Sequence, residues 1–288
     1  MYGQQRIPRY QQVYDDALRR ATRGRRVDKE ARRRRKLPLG GSAVPQGHIL
    51  ILQFAYHDFP EMPEITNQIQ AAFQRIGFEV TDFRIPMRNP LYHLENKLAQ
   101  FLKSGDRNTV LMIYYGGHGY VDNYGRGLMW QSHNVNAKFR AAPAHVAWRH
   151  IRKYIVAAER NVGIILDCCS AGAAVIPSIA ERAGPQGAGT TAAARGLEYN
   201  KLQPRRGYQK EVIAAAGWGV ETTGGTSKAL CSVLNNWDLD QEDSLSVETL
   251  HERMVHFLAR EGQDSQPVRW REMNTIDGRV RIPHIRQR

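Results

Sequence analysis

Tyr114-Tyr115-Gly116-Gly117-His118-Gly119 and Asp167-Cys168-Cys169-Ser170-Ala171-Gly172 each close an apolar run: Val110-Leu111-Met112-Ile113 in the first case, Val162-Gly163-Ile164-Ile165-Leu166 in the second. Short uninterrupted apolar runs read as strands buried on both faces of a parallel sheet. A His and a Cys therefore stand where two such strands end, and the carboxyl edge of an open α/β sheet is where ligands bind. A thiol and an imidazole there can form a nucleophile–base pair, the minimum apparatus for acyl transfer.

Working outward, the remaining elements alternate. His48–Phe54 reads as a first buried strand. Ile65, Ile69, Phe73 and Ile76 recur at helical spacing before Gly77, which suits a helix end. Phe78–Ile85 alternates as a second strand, and Leu91, Leu94, Leu98, Phe101 and Leu102 mark one face of a second helix. A polar segment with Gly125, Gly127 and Met129-Trp130 follows the His118 strand. The spacing then predicts a third helix from Pro143 to about Glu159. After Gly172 a short helix is expected, then a strand over Glu211–Gly217. Helices near Ser227–Leu234 and Val247–Ala259 and an extended Val280–Ile282 complete the chain. Strands and helices in such alternation predict an α/β fold with a parallel sheet and helices on both faces.

The charge is unevenly spread. Residues 1–47 hold 13 of the 41 Lys and Arg but 4 of the 28 Asp and Glu, leaving 28 basic against 24 acidic residues for the rest. The net charge of +13 thus belongs mainly to a basic arm over 1–47, expected to be disordered, with the run Arg32-Arg33-Arg34-Arg35-Lys36. Such a block suits an acidic partner, nucleic acid or a nuclear import receptor; the plainer alternative is a solvated arm that aids solubility. The domain proper is expected over 48–288. Within it, 184–206 is rich in Gly, Ala, Thr, Pro and Arg without apolar periodicity, the pattern of a flexible linker. No apolar run approaches the roughly 18 residues of a membrane span. Three cysteines, two of them adjacent, make neither a disulfide framework nor a zinc site. A reducing, cytoplasmic setting is expected, with the nucleus a second destination for a chain so tagged.

The glycines have a geometric part in the chemistry. Gly116, Gly117 and Gly119 let the backbone turn around His118 and leave room for a substrate chain. The amides of Gly119 and Cys169, if aimed at one point, make an oxyanion hole. Cys168 rivals Cys169 as the nucleophile, but neighbours at a strand end point opposite ways, so only one of them faces His118.

His118 and Cys169 are 51 residues apart, close to the roughly 50 of caspases. The chain departs from the caspase pattern at Asp167 and in the placing of Gly172. Its Asp-x-Cys-x-x-Gly resembles the metacaspases and, more closely, the fungal caspase-domain proteins with a YYGGHG and DCC signature. From about residue 48 onward the resemblance implies a caspase-like three-layer sandwich with a mostly parallel six-stranded sheet. It implies a cysteine endopeptidase acting on proteins or peptides, with His118 as the catalytic base, Cys169 as the nucleophile and Gly119 as an oxyanion amide. Asp167 matches a position that lines the pocket for the side chain before the scissile bond, where a carboxylate favours Arg or Lys over Asp. The bland role for Asp167 is to cap the following helix. Glu221, in a segment similar to the family's substrate wall, either lines the site or faces solvent. Asp58, Glu61 and Glu64 follow the first strand and can reach toward the same cleft.

Caspase-like enzymes commonly carry a loop at 184–206 that is cut during activation, and Arg195, Lys201, Arg205, Arg206 and Lys210 offer basic sites in and beside it. No cofactor is expected. Metacaspase-type members often need calcium, but no calcium loop is visible in this sequence. The alternative to an enzyme is a catalytically silent caspase-like interaction or signalling module.

Overall fold

The computed structural model describes residues 47–122, 127–134, 142–174, 208–215, 225–237, 244–262, 267–271 and 280–283. The chain divides into Met1–Val44 and Pro45–Arg288. The basic arm, the linker 184–206 and Glu221 lie outside the described residues.

The central sheet has six strands: β1 (Gly47–Phe54), β2 (Glu79–Ile85), β3 (Val110–Gly116), β7 (Val162–Asp167), β8 (Lys210–Ala214) and β10 (Val268–Arg271). Their order is β10-β8-β7-β3-β1-β2; five run parallel, and β10 pairs antiparallel with β8. Strands β3, β7 and β8 are buried at every position, as continuous apolar runs require of a sheet covered on both sides. The edge strand β2 shows the exposed positions of an alternating pattern.

One face of the sheet packs Leu50, Leu111, Ile113 and Ile164 against α2 (Pro90–Phe101) and α3 (Trp148–Ala157) through Leu94, Leu98, Ile151 and Ile155. The other packs Ile49, Ile51, Met112 and Ile165 against α1 (Met62–Arg75), α4 (Gly225–Asn235) and α5 (Val247–Arg260). The result is the three-layer sandwich expected. Local signals set the helix ends. Pro63 and Pro90 lie in the first turns of α1 and α2, where a missing N–H costs nothing. Gly77, at φ 85°, turns the chain out of α1. The Ser246 hydroxyl caps α5 by accepting from the Thr249 amide at 3.0 Å.

The structure departs from the sequence expectation between β3 and β7. Residues His145–Ala147, assigned above to the third helix, form strand β6, and α3 begins only at Trp148. With β4 (His118–Val121) and β5 (Leu128–Gln131), β6 makes a small antiparallel sheet of order β4-β5-β6. Trp130 anchors it: its buried ring stacks on Tyr115 of β3 at 3.9 Å and lies 5.7 Å from the Trp148 ring. A second small sheet pairs β9 (Ser244–Ser246) with β11 (Arg281–Pro283), and a 3-10 turn spans Ala171–Ala174.

The amino edge of the central sheet is closed by cations. The Arg160 guanidinium donates to the carbonyls of Ser104 at 2.9 Å and Gly105 at 2.6 Å. The Lys210 ammonium donates to the carbonyls of Ala158 at 3.0 Å and of Arg160. Lys210 is 1% exposed and so is withdrawn from the cut sites suggested beside the linker. Burial pushes its pKa from 10.5 down to about 8. Between those two values the unfolded chain holds a proton that the folded chain lacks, so this residue's contribution to stability rises with pH there. In urea unfolding, the parent protein should gain stability relative to Lys210→Met as pH rises from 8 to 10. A pH-independent difference would contradict the cost assigned to burying this charge.

Candidate active site

Strands β3 and β7 pair in parallel so that Gly116 lies opposite Asp167. One residue further on, the Gly117 amide donates to the Asp167 carbonyl at 3.3 Å. Gly117 has φ 153°, and a Cβ there would stand 2.9 Å from the Tyr115 hydroxyl, so the reversal into β4 needs glycine. His118 opens β4, and the Tyr115 hydroxyl donates to its carbonyl at 2.9 Å. Beyond Asp167, Cys168 is fully buried in the α2/α3 core, while Cys169 is half-buried. Ser170 takes φ 55°, turning the chain away from the sheet.

Gly119 joins the two segments. A Cβ at this position would overlap the Cys169 carbonyl oxygen and lie 2.8 Å from the Cys168 sulfur. The strand that begins with His118 thus runs directly against the Cys169 peptide. Burial, together with the charges of Asp167 and Cys169, pushes the Cys168 thiol well above its ordinary value and leaves it an inert core group.

The imidazole of His118 is held from the β1 side. Its Nε2 pairs with Asp58 Oδ1, and the Phe59 ring stacks over it with centroids 4.1 Å apart. The other carboxylate oxygen of Asp58 accepts from the Asn134 amide, beyond β5, at 3.0 Å. Burial alone would raise the Asp58 carboxyl, but the Asn134 amide and the His118 ring outweigh it, so the net shift is downward. Of the three acids that follow the first strand, Asp58 is the one that meets the site. Glu61 stands at the N-terminus of α1, and Glu64 in its first turn accepts from Gln68 at 2.8 Å.

Asp167 is 8% exposed. Its Oδ2 accepts from the Ser227 amide at 3.1 Å, from the Ser227 hydroxyl, and from the Tyr114 hydroxyl at 3.4 Å. It therefore caps a helix, though not the following one: the amide belongs to the first turn of α4, sixty residues on. Oδ1 is buried and, among the described residues, has no hydrogen-bond partner. Burial pushes the carboxyl upward, against the pull of Ser227 and Tyr114. Among the described residues, no three His, Cys, Asp or Glu side chains gather as a metal site. No described helix is long and apolar enough to cross a membrane.

A sequence model of the caspase domain matches residues 55–277. Among solved structures, protein GSU0716 from Geobacter sulfurreducens is similar to this chain at 14% identity and a TM-score of 0.47. That match spans 81% of this chain and 95% of that one. No curated protein sequence matches the chain.

The close approach at Gly119 is open to a direct test. Gly119→Ala should lose about 1–3 kcal/mol in urea unfolding, because a methyl there displaces the Cys169 peptide or strains β4. An unchanged midpoint would mean that the two segments do not touch.

Proposed function

This chain belongs to the caspase-domain family, and on that premise we propose that it is a cysteine endopeptidase with Cys169 as nucleophile and His118 as proton carrier. The observation that carries the reading is the contact of the β4 strand, at Gly119, with the Cys169 peptide, on the edge of the sheet where β3 and β7 end.

The chemistry runs in two halves. His118 takes the proton from the Cys169 sulfur, and the thiolate attacks the scissile carbonyl, forming a C–S bond as the carbonyl electron pair moves onto oxygen. The amides of Gly119 and Cys169 donate to that oxyanion. As the intermediate collapses the C–N bond breaks, and the imidazolium hands its proton to the departing amine, leaving a thioester. His118 then takes a proton from water, and the hydroxide adds to the thioester carbonyl. Collapse breaks the C–S bond and releases the acid product, and the imidazolium returns its proton to the departing sulfur, restoring the thiol and the neutral ring.

Asp167 would select the residue before the cut. An Arg or Lys side chain donating to the buried Oδ1 supplies the partner that this oxygen lacks, whereas an Asp side chain would meet like charge. Glu221 is proposed as a second acid of the same pocket. The same preference makes Arg195, Lys201, Arg205 and Arg206 sites for self-processing of a zymogen. No step is assigned to a metal.

Fluorogenic peptides ending in Arg, Lys or Asp, assayed with and without calcium, test the reading. The Arg and Lys peptides should turn over, and Cys169→Ala or His118→Ala should each lower kcat/KM by about 10⁴-fold. Asp167→Asn should cost about 100-fold on the Arg peptide, the scale of losing one partner of a buried charge pair. Preferred cleavage of the Asp peptide would overturn the role given to Asp167. No turnover of any peptide would favour a silent interaction module instead. Mass spectrometry should find cuts after the linker's basic residues in the parent protein and none in Cys169→Ala; identical fragments in both would rule out self-processing.

A further inference from the structure

We infer that Asp58 is the positioning residue of His118, so that the site works as a series Asp58–His118–Cys169 and not as a thiol–imidazole pair alone. The inference deepens the peptidase reading and rests on it for the identity of the nucleophile.

Three features carry it. First, the Asp58 carboxylate pairs with Nε2 of the ring. An Nε2–H donated to a carboxylate fixes the tautomer and leaves the Nδ1 lone pair as the one that can take a proton from sulfur. Second, the carboxylate is itself held: the Asn134 amide donates to its other oxygen at 3.0 Å, so β1 and the turn after β5 jointly aim it. Third, Phe59, the very next residue, covers one face of the imidazole with ring planes 27° apart. Two consecutive residues of a single loop thus restrain the ring in its plane and from above, as a base that must meet a moving proton requires.

The electrostatics agree with this arrangement. Asp58 and His118 have side chains 24% and 21% exposed, so the pair is neither sealed from water nor fully screened. The Asp58 carboxyl is held below its usual range, which keeps it charged wherever a thiol–imidazole pair works. A carboxylate beside the ring stabilises the imidazolium that exists while the thiolate attacks. Among the described residues, His57 and Arg84 are charged or titratable groups beside the pair. Burial and the Arg84 charge keep the His57 ring below its ordinary value, so it adds little positive charge at neutral pH. The neighbouring thiols on the β7 side are Cys168 and Cys169.

The experiment compares the parent protein with Asp58→Ala, Asp58→Asn and Asp58→Glu, using two readouts. With the Arg peptide, Asp58→Ala and Asp58→Asn should lower kcat by about 10²–10⁴-fold while KM changes less than about threefold, and Asp58→Glu should recover part of the loss. The pH profile of kcat/KM should change shape relative to the parent, as the ring loses the carboxylate that holds it. The second readout needs no turnover. The rate of Cys169 alkylation by iodoacetamide, followed against pH and corrected with Cys169→Ala, should fall in Asp58→Ala at neutral pH and keep the parent's limiting rate at high pH. Thermal melting checks that each variant is folded.

The two proposals fail differently. If no peptide is cleaved but alkylation shifts with Asp58→Ala, the peptidase reading fails and the positioning role stands. If Cys169→Ala and His118→Ala abolish cleavage while Asp58→Ala leaves kcat and both pH profiles unchanged, the positioning role is overturned and the peptidase reading stands. A loss confined to KM would also overturn it, making Asp58 a substrate contact.

Discussion

The parallel pairing of β3 with β7 is the constraint on which the rest of the molecule depends. Its register sets Gly116 opposite Asp167, and the Gly117 amide closes onto the Asp167 carbonyl. His118 and Cys169, each two residues beyond those partners, therefore leave the sheet at the same edge. A slip of two residues would carry them about 7 Å apart along the strand direction. The two apolar layers hold that register because every position of both strands is buried. At the amino edge, by contrast, Arg160 and Lys210 are occupied with neighbouring carbonyls, while His118 and Cys169 stand at the opposite, carboxyl edge.

Environment separates the residues that chemistry alone would confuse. Asp58 and Asp167 are both carboxylates at the carboxyl edge of the sheet. Asp58, part-exposed, with two donors, is held below the usual range; Asp167, buried with one oxygen unpartnered among the described residues, is held above it. Under the proposed reading the first answers a charge that develops on the enzyme and the second a charge carried by the substrate, a division that follows from opposed environments. Cys168 and Cys169 divide in the same way. The core claims Cys168 and raises its thiol, while Cys169 is left half-buried beyond the strand end.

Long apolar runs and helical spacing made β1, β3, β7, α1, α2, α4 and α5 legible before any coordinates, because burial on two faces or along one stripe leaves a strong pattern. The small sheet β4-β5-β6 was not legible. Its strands are three or four residues long, too short for alternation to show, and β6 runs straight into α3 at Ala147–Trp148 without a cap that would mark the boundary. Strand β10 was missed for the same reason. Asp58 was visible only as one of three acids following a strand. Its choice over Glu61 and Glu64 depends on how the loop meets His118 and Asn134, contacts 60 and 76 residues away in sequence. Asp167 was expected either in a pocket or on the next helix; its bond to α4 is equally long in sequence.

The central claim, that Cys169 and His118 share one cleft with Asp167 at its base, is tested most directly by a crystal structure of the protein inactivated with an arginyl chloromethyl ketone peptide. The account predicts a covalent bond to the Cys169 sulfur, the His118 ring beside it, and the guanidinium against Asp167 Oδ1. Label on Cys168 or Cys231, or a Cys169 adduct whose arginine lies away from Asp167 with His118 beyond reach of the sulfur, would contradict it.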